Sequence, residues 1–485
     1  MHFKLIFRVM GVILLIEAGA MLPPLCVSFF CGEPDTLALL ISFAVTAAAG
    51  GLLAFLLRKA RRGIQPREGF AITGFSWVLL SVFGALPFYI SGYIPNFADC
   101  LFEAVSGFTT TGATVLPDIE ALPHGLILWS SLMHWIGGMG VLILFLALLP
   151  SMGERSMQLM RAESPGPAPS KLVPRIGGTA KILYGIYISI TVVEFLLLWI
   201  FGMPAFDSVV HAMGSAGTGG FSLRNLSVGA YPSTAIHLII GFSMLASGIS
   251  FAFYYAIIKR SFTEVKKNTE VWVYLCIVAA GVALVAFDIT PMYMKDGGTV
   301  GLALRDSFFQ VSSMATTTGY ATADINLWPD FSRTLLVCFM VIGSCAGSTG
   351  GGIKTIRLVL IIKGISREIR KIIHPRSVNT IRLARRPVGE EVMSGTTQFF
   401  ASYIIILLAG TVIVSLDGNG FTTSLTAVIS CLSNVGRGLD LVEHAGGFSV
   451  FSALSRGVLS LCMLIGRLEI FPILVLFAPA TWKKV

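Results

Sequence analysis

Eight long apolar runs constrain this chain more than any other feature: Leu37–Leu57, Phe70–Ile90, Leu126–Pro150, Ile182–Phe201, Ala235–Ile258, Trp272–Ile289, Phe399–Leu416 and Leu454–Phe477. Each is close to the ~20 residues a helix needs to cross a hydrocarbon core. Only 13% of the 485 residues are charged, about half of the ~25% usual in soluble domains. Little of the surface can therefore face water, and the chain reads as an all-α polytopic membrane protein. Met1–Phe30 has Lys4 and Arg8 ahead of a further apolar run but no small-residue cleavage site, so it reads as a retained first span.

The formal charge of +9 raises the question of a polyanionic partner, and its distribution answers it. Of 35 Lys and Arg, 28 lie at the N-terminus and in Arg58–Arg67, Arg155–Lys181, Lys259–Lys267, Lys354–Arg386 and Lys483–Lys484. These alternate with segments richer in acids, among them Asp99–Glu120, Asp288–Asp330 and Asp440–Glu443. The positive-inside rule accounts for this alternation without nucleic acid, and it predicts cytoplasmic termini and outward-facing acids. Outward acids also raise the local cation concentration at a pore mouth.

Between the apolar runs lies a recurring small-polar segment. "FTTTGAT" (Phe108–Thr114), "MGSAGTGGFS" (Met213–Ser222), "TTTGY" (Thr316–Tyr320) and "LSNVGRGL" (Leu432–Leu439) align on Gly112, Gly219, Gly319 and Gly436, spaced 107, 100 and 117 residues apart. Each follows a short half-apolar segment: Phe97–Phe108, Phe206–Gly214, Leu304–Ala315 and Leu425–Ser433. At ~1.5 Å per residue these are half-membrane helices. Irregular backbone survives at membrane depth only when buried in protein or lining a watery cavity. The pattern predicts four pseudo-symmetric helix–pore loop–helix repeats, preceded by two extra transmembrane helices. Residues 1–62 would hold those two helices, with repeats at 63–160, 161–265, 266–375 and 376–485. A glycine in each loop permits positive φ, and a ring of carbonyls can replace a cation's hydration shell, as in TVGYG filters. "TTTGY" reads as one quarter of a cation filter.

On these residues, with "GSCAGSTGGGIKTIR" (Gly343–Arg357) and "IGRLEIFPILVLF" (Ile465–Phe477), nearly the whole chain resembles the Trk/Ktr/HKT superfamily of potassium transporters. The two leading helices resemble its TrkH branch more than the shorter KtrB branch. The resemblance implies potassium uptake across the bacterial cytoplasmic (inner) membrane, with potassium as substrate and no cofactor. It implies a homodimer in the lipid bilayer, regulated by a cytosolic TrkA-like nucleotide-binding ring. The implied potassium-binding residues are Thr110, Thr111 and Gly112; Thr218 and Gly219; Thr317, Thr318 and Gly319; and Asn434, Val435 and Gly436. One departure stands out: the family expectation after the fourth glycine is proline, and here it is Arg437, expected to turn away and pair with Asp440.

The run Phe331–Ile362 is too long for one straight crossing, and "SCAGSTGGG" (Ser344–Gly352) interrupts it. Each glycine costs ~1 kcal/mol relative to Ala in a helix, so three in succession favour a loop over a kinked, closely packed helix. The expected gate is Gly347, Ser348, Thr349, Gly350, Gly351, Gly352 and Lys354, with Arg467 facing it from the last span. Arg467 could instead be a buried ion pair, although Glu469, two residues on, does not share its helix face. "GSTGGGIKT" is not a phosphate-binding loop, because Ile353 separates Gly352 from Lys354. Glu103 is expected to brace a loop by hydrogen bonding. No Ser–His–Asp or paired-carboxylate pattern points to an enzyme. A sodium-coupled or other cation-coupled secondary transporter is the competing reading, though such folds use inverted repeats.

Overall fold

The computed structural model describes residues 2–58, 66–140, 176–295, 297–376, 380–383, 386–444 and 446–479. The end of the run Leu126–Pro150, most of the basic segments Arg58–Arg67 and Arg155–Lys181, and Lys483–Lys484 lie outside the described residues. Among the described residues the regular structure is α-helical, apart from short 3-10 turns and one antiparallel pair, Arg382–Leu383 with Arg386–Pro387. Among the described residues, six helices are long and apolar enough to cross a membrane: Phe3–Cys31, Thr36–Leu56, Glu68–Ser91, Gly178–Ile200, Thr269–Lys295 and Glu390–Asp417.

The first two helices form a hairpin closed at Gly32, which takes φ 69° and caps the first helix. Their crossing depends on two glycines. A methyl group on Gly11 would come within 2.9 Å of the Gly50 carbonyl oxygen, and one on Gly50 within 2.8 Å of the Gly11 carbonyl oxygen. Small residues are the usual means of close helix approach where lipid removes the hydrophobic driving force.

Four short helices, Phe97–Phe108, Ala205–Gly217, Val300–Ala315 and Phe421–Ser433, run inside the molecule. Their sequences start them abruptly. The Asn96 side chain accepts from the Ala98 amide, the Thr299 hydroxyl accepts from the Leu302 amide, and the other two begin behind Pro204 and Gly420. With 12, 13, 16 and 13 residues, none is long enough to span a ~30 Å hydrocarbon core.

Each short helix leads through a loop into a second helix: His124–Met139, Thr234–Ser247, Asp330–Ile342 and Ala453–Arg467. All four stop partway. The second is followed by Phe251–Ile258 at an angle of 92°, so the apolar run Ala235–Ile258, expected as one span, is bent at Gly248–Ser250. The fourth breaks at Leu468–Ile470, where Glu469 and Ile470 take φ 56° and 65°, and resumes as Phe471–Phe477. Among the described residues the third has the longest break, from Gly343 to Lys354, before Thr355–Ile373. The largest apolar core joins the N-terminal hairpin to the elements around the first and fourth short helices. Phe102 meets Phe448 across that seam at 5.7 Å between ring centroids, and Arg456 meets Asp99 at 2.5 Å.

Gly51, beside Gly50, faces open space: a methyl group there would meet nothing within 4 Å. Gly50→Val should therefore destabilise the protein by about 1–3 kcal/mol through overpacking, while Gly51→Val should be nearly neutral. Thermal unfolding of the two variants in detergent checks this, and equal transition temperatures would contradict the crossing.

Candidate functional site

The four short helices end in the same way. The amides of Thr111, Gly219, Thr318 and Val435 donate to carbonyls five residues earlier, on Ser106, Gly214, Ser313 and Ser430, at 2.8–2.9 Å. The residue before each, Thr110, Thr218, Thr317 or Asn434, is left-handed, with φ of 53–59°. Asparagine tolerates that region, but β-branched threonine does not. Strain of about 1–3 kcal/mol per residue persists only where surrounding structure imposes it, and it clusters at functional sites. Two residues further on stands a glycine at φ 78–84°: Gly112, Gly220, Gly319 and Gly436.

This corrects one position in the repeat. The glycine of the second loop is Gly220, not Gly219; Gly219 is the counterpart of Thr111, Thr318 and Val435. Two adjacent glycines were the available signal, and only backbone conformation distinguishes them. Gly219 has its own steric reason, because a side chain there would run into the His134 ring, which stacks on Phe221 at 4.2 Å.

The loops close into a ring. The position a methyl group would take on Gly112 is filled by the carbonyl oxygen of Gly219; on Gly220, by that of Thr318; on Gly319, by that of Val435; and on Gly436, by that of Thr111. Each glycine thus receives the next loop's carbonyl, and the fourth returns to the first. Side chains brace the ring from behind. Hydroxyl pairs Thr109–Thr111 and Thr316–Thr318 stand at 2.8 Å, and Asn434 Nδ2 donates to Thr111 Oγ1 and to the Met463 carbonyl at 3.0 Å. Glu103 accepts from the Val115 amide at 3.2 Å, and the Tyr320 hydroxyl donates to the Phe221 carbonyl at 3.1 Å.

The segment Gly343–Lys354 lies against the third and fourth loops. The Gly351 amide donates to Thr317 Oγ1 at 2.6 Å, and the Gly352 amide to the Ser433 carbonyl at 3.0 Å. Its other side is bonded to the break in the second repeat, with Cys345 N to Gly248 O and Phe251 N to Gly347 O at 3.0 Å. Lys354, buried and at φ 80°, donates its ammonium to the Gly350 carbonyl. Arg467 donates to the carbonyls of Thr349 (2.7 Å), Gly138 (2.6 Å) and Gly137, so it ties this segment to the first repeat. It does not pair with Glu469, whose carboxylate meets Arg357 at 2.5 Å. Gly347, Ser348, Gly350, Gly351, Gly352, Lys354 and Arg467 all line one cavity of about 60 Å³.

On the opposite side of the ring, Arg437 pairs with Glu443 at 3.3 Å. The expected partner, Asp440, is instead 3.0 Å from Arg333. The two acids are three residues apart in sequence, and only the fold of the 3-10 turn Asp440–Val442 decides which one faces Arg437.

A family model described as TrkH, cation transport protein, matches residues 36–484. The chain belongs to that family. It is 36% identical over 488 residues to the Trk system potassium uptake protein TrkH of Salmonella typhimurium, covering 100% of both chains. It is 31% identical to the Trk system potassium uptake protein TrkG of Escherichia coli K12, covering 100% of this chain and 99% of that one. The solved structure of the potassium transporter TrkH from Vibrio parahaemolyticus matches with a TM-score of 0.89 at 30% identity, over 100% of both chains. The family and the apolar helices make this an integral membrane transport protein rather than an enzyme.

Thr317→Val is isosteric and removes the acceptor of the Gly351 amide. An orphaned buried donor costs about 1–3 kcal/mol, so hydrogen exchange at Gly350–Gly352 should rise roughly ten-fold or more. Exchange at Thr109–Gly112 should stay at its original rate; mass spectrometry of peptides from both regions tests the pair.

Proposed function

We propose that this chain takes up potassium across the bacterial cytoplasmic (inner) membrane through a channel-like pathway on the axis of its four loops. The single observation that carries this reading is the closed ring in which each loop's glycine receives its neighbour's carbonyl. Such backbone offers a dehydrated cation a rigid set of oxygens in place of water. The short-helix C-termini end at the ring, and their partial negative charge favours a cation there. The filter residues are Thr110, Thr111, Gly112, Thr218, Gly219, Thr317, Thr318, Gly319, Asn434, Val435 and Gly436, now with Gly220. The chain would be organised as four repeats behind two leading helices, with both termini cytoplasmic.

The segment Gly347–Gly352 with Lys354 acts as an intramembrane gate, and Arg467 is its latch. The segment is hydrogen-bonded to Thr317 and to the Ser433 carbonyl directly beside the ring, which supports reading this conformation as closed. Arg467 donates charge-assisted hydrogen bonds, roughly twice as strong as neutral ones. Opening therefore requires the gate either to give up the Thr349 carbonyl contact with Arg467 or to draw Arg467 away from Gly137 and Gly138. A cytosolic TrkA-like nucleotide-binding ring on a homodimer would drive this through Thr355–Ile373, the helix that continues directly from Lys354. "Trk system" in the names of the relatives fits a multi-component assembly.

Radioactive rubidium uptake into liposomes holding the purified protein tests the function, and absence of uptake would refute it. Gly220→Ser should weaken discrimination against sodium by about ten-fold or more, because the ring cannot accept a side chain at that φ without moving a carbonyl. Undiminished discrimination would remove Gly220 from the filter. Deleting Gly350 and Gly351 should raise uptake roughly ten-fold, the effect of ~1.4 kcal/mol off a barrier, with selectivity kept. Unchanged, fully regulated uptake would end the gate assignment.

A further inference from the structure

Arg437 is the residue directly after the fourth-loop glycine, where the other three loops carry Ala113, Phe221 and Tyr320. A fixed positive charge at that position opposes cation capture unless something cancels it. With Gly112, Gly220 and Gly436, Arg437 lines a cavity of about 30 Å³ at the ring, so the side chain starts within reach of the axis. Its guanidinium lies 3.3 Å from the Glu443 carboxylate, whose side chain is only 1% exposed. Glu443 is held in turn by His444 Nδ1 at 2.5 Å, and His444 Nε2 lies 3.8 Å from Asp324. Asp440 cannot substitute, because Arg333 and the Asn326 side chain hold it.

We propose that Glu443 is a positioning residue that keeps Arg437 turned away from the outer opening of the ring and cancels its charge, and so sets how readily external potassium is captured. This rests on the potassium-pathway reading above. With the carboxylate in place the pair is neutral and the arginine is anchored. Without it, a long cationic side chain beside Gly436 is free to swing over the opening. The charge then acts on ions before they shed water, so it changes the concentration dependence of uptake more than the maximal rate.

The test is rubidium uptake into liposomes as a function of external rubidium, for the full-length protein, Glu443→Gln, Arg437→Gln and the double variant. Glu443→Gln should raise the half-saturating concentration on the order of five-fold with the maximal rate nearly kept. The rise should shrink when choline chloride increases the external ionic strength. Arg437→Gln should lower the half-saturating concentration, and the double variant should return it to the original value. If Glu443→Gln does not fold because it strands a buried charge, Glu443→Asp decides. It keeps the charge but draws it back by one methylene, and its half-saturating concentration should rise, then fall below the original value on adding Arg437→Gln, as it does for Arg437→Gln alone.

An unshifted half-saturating concentration in the folded Glu443 variants overturns the proposal. So does equal impairment of the single and double variants, which would make the pair a mere brace of the fourth loop. No uptake by the unsubstituted protein would instead overturn the pathway reading, and this inference with it.

Discussion

Backbone amides and carbonyls left unpaired in hydrocarbon cost several kcal/mol each, and four stretches of irregular backbone sit inside this membrane protein. The remaining architecture follows from that requirement. Each short helix closes its last turn with a hydrogen bond from five residues on, and the price is a left-handed threonine or asparagine. That turn sends the next carbonyl toward the neighbouring loop, where only glycine leaves room for it. One loop alone would present unpaired groups to its surroundings. Four of them around one axis bury most of that irregular backbone within the protein, Thr109–Thr111, Thr218, Thr316–Thr318 and Asn434 included.

The fourfold repeat is kept in the backbone and relaxed in the side chains. The first and third loops are backed by hydroxyl pairs, the second by the His134 ring against Gly219, and the fourth by Asn434 bonded to Thr111 and Met463. The second helices show the same division. Among the described residues the second, third and fourth are interrupted at a comparable stage, and the third has the longest of these interruptions, from Gly343 to Lys354, bonded to the third and fourth loops. Its contacts run to the second repeat through Gly248 and Phe251, to the fourth through Ser433, and to the first through Arg467. A displacement of that segment is thus felt in every repeat. The helix Thr355–Ile373 starts immediately beyond it and is tied to the fourth repeat by Arg357 and Glu469, with the Arg357 guanidinium 3.9 Å from the centre of the Phe399 ring.

Much of this is legible in the amino-acid sequence. Apolar runs, the alternation of basic and acidic segments, and a short polar segment recurring about every hundred residues all follow from local composition, because the cost of burying charge or exposing carbon in lipid is set residue by residue. The break around Ser344–Gly352 is legible for the same reason, as helix propensity is a local quantity. The bend at Gly248–Ser250 is not, since a single glycine in an apolar run is compatible with a straight helix and only the bonds to Cys345 and Gly347 select the elbow.

The sequence by itself determined that the chain is an α-helical membrane protein with four related polar loops, because hydrophobicity and glycine content act without reference to distant residues. Tertiary structure alone decided that Gly220 rather than Gly219 takes the positive-φ glycine position of the second loop, that Arg437 faces Glu443 rather than Asp440, and that Arg467 binds carbonyls of Thr349, Gly137 and Gly138 while Glu469 goes to Arg357. The physical reason is that an ion pair or a carbonyl contact depends on a few ångströms between segments tens to hundreds of residues apart. Those separations exist only once the chain has closed around its axis.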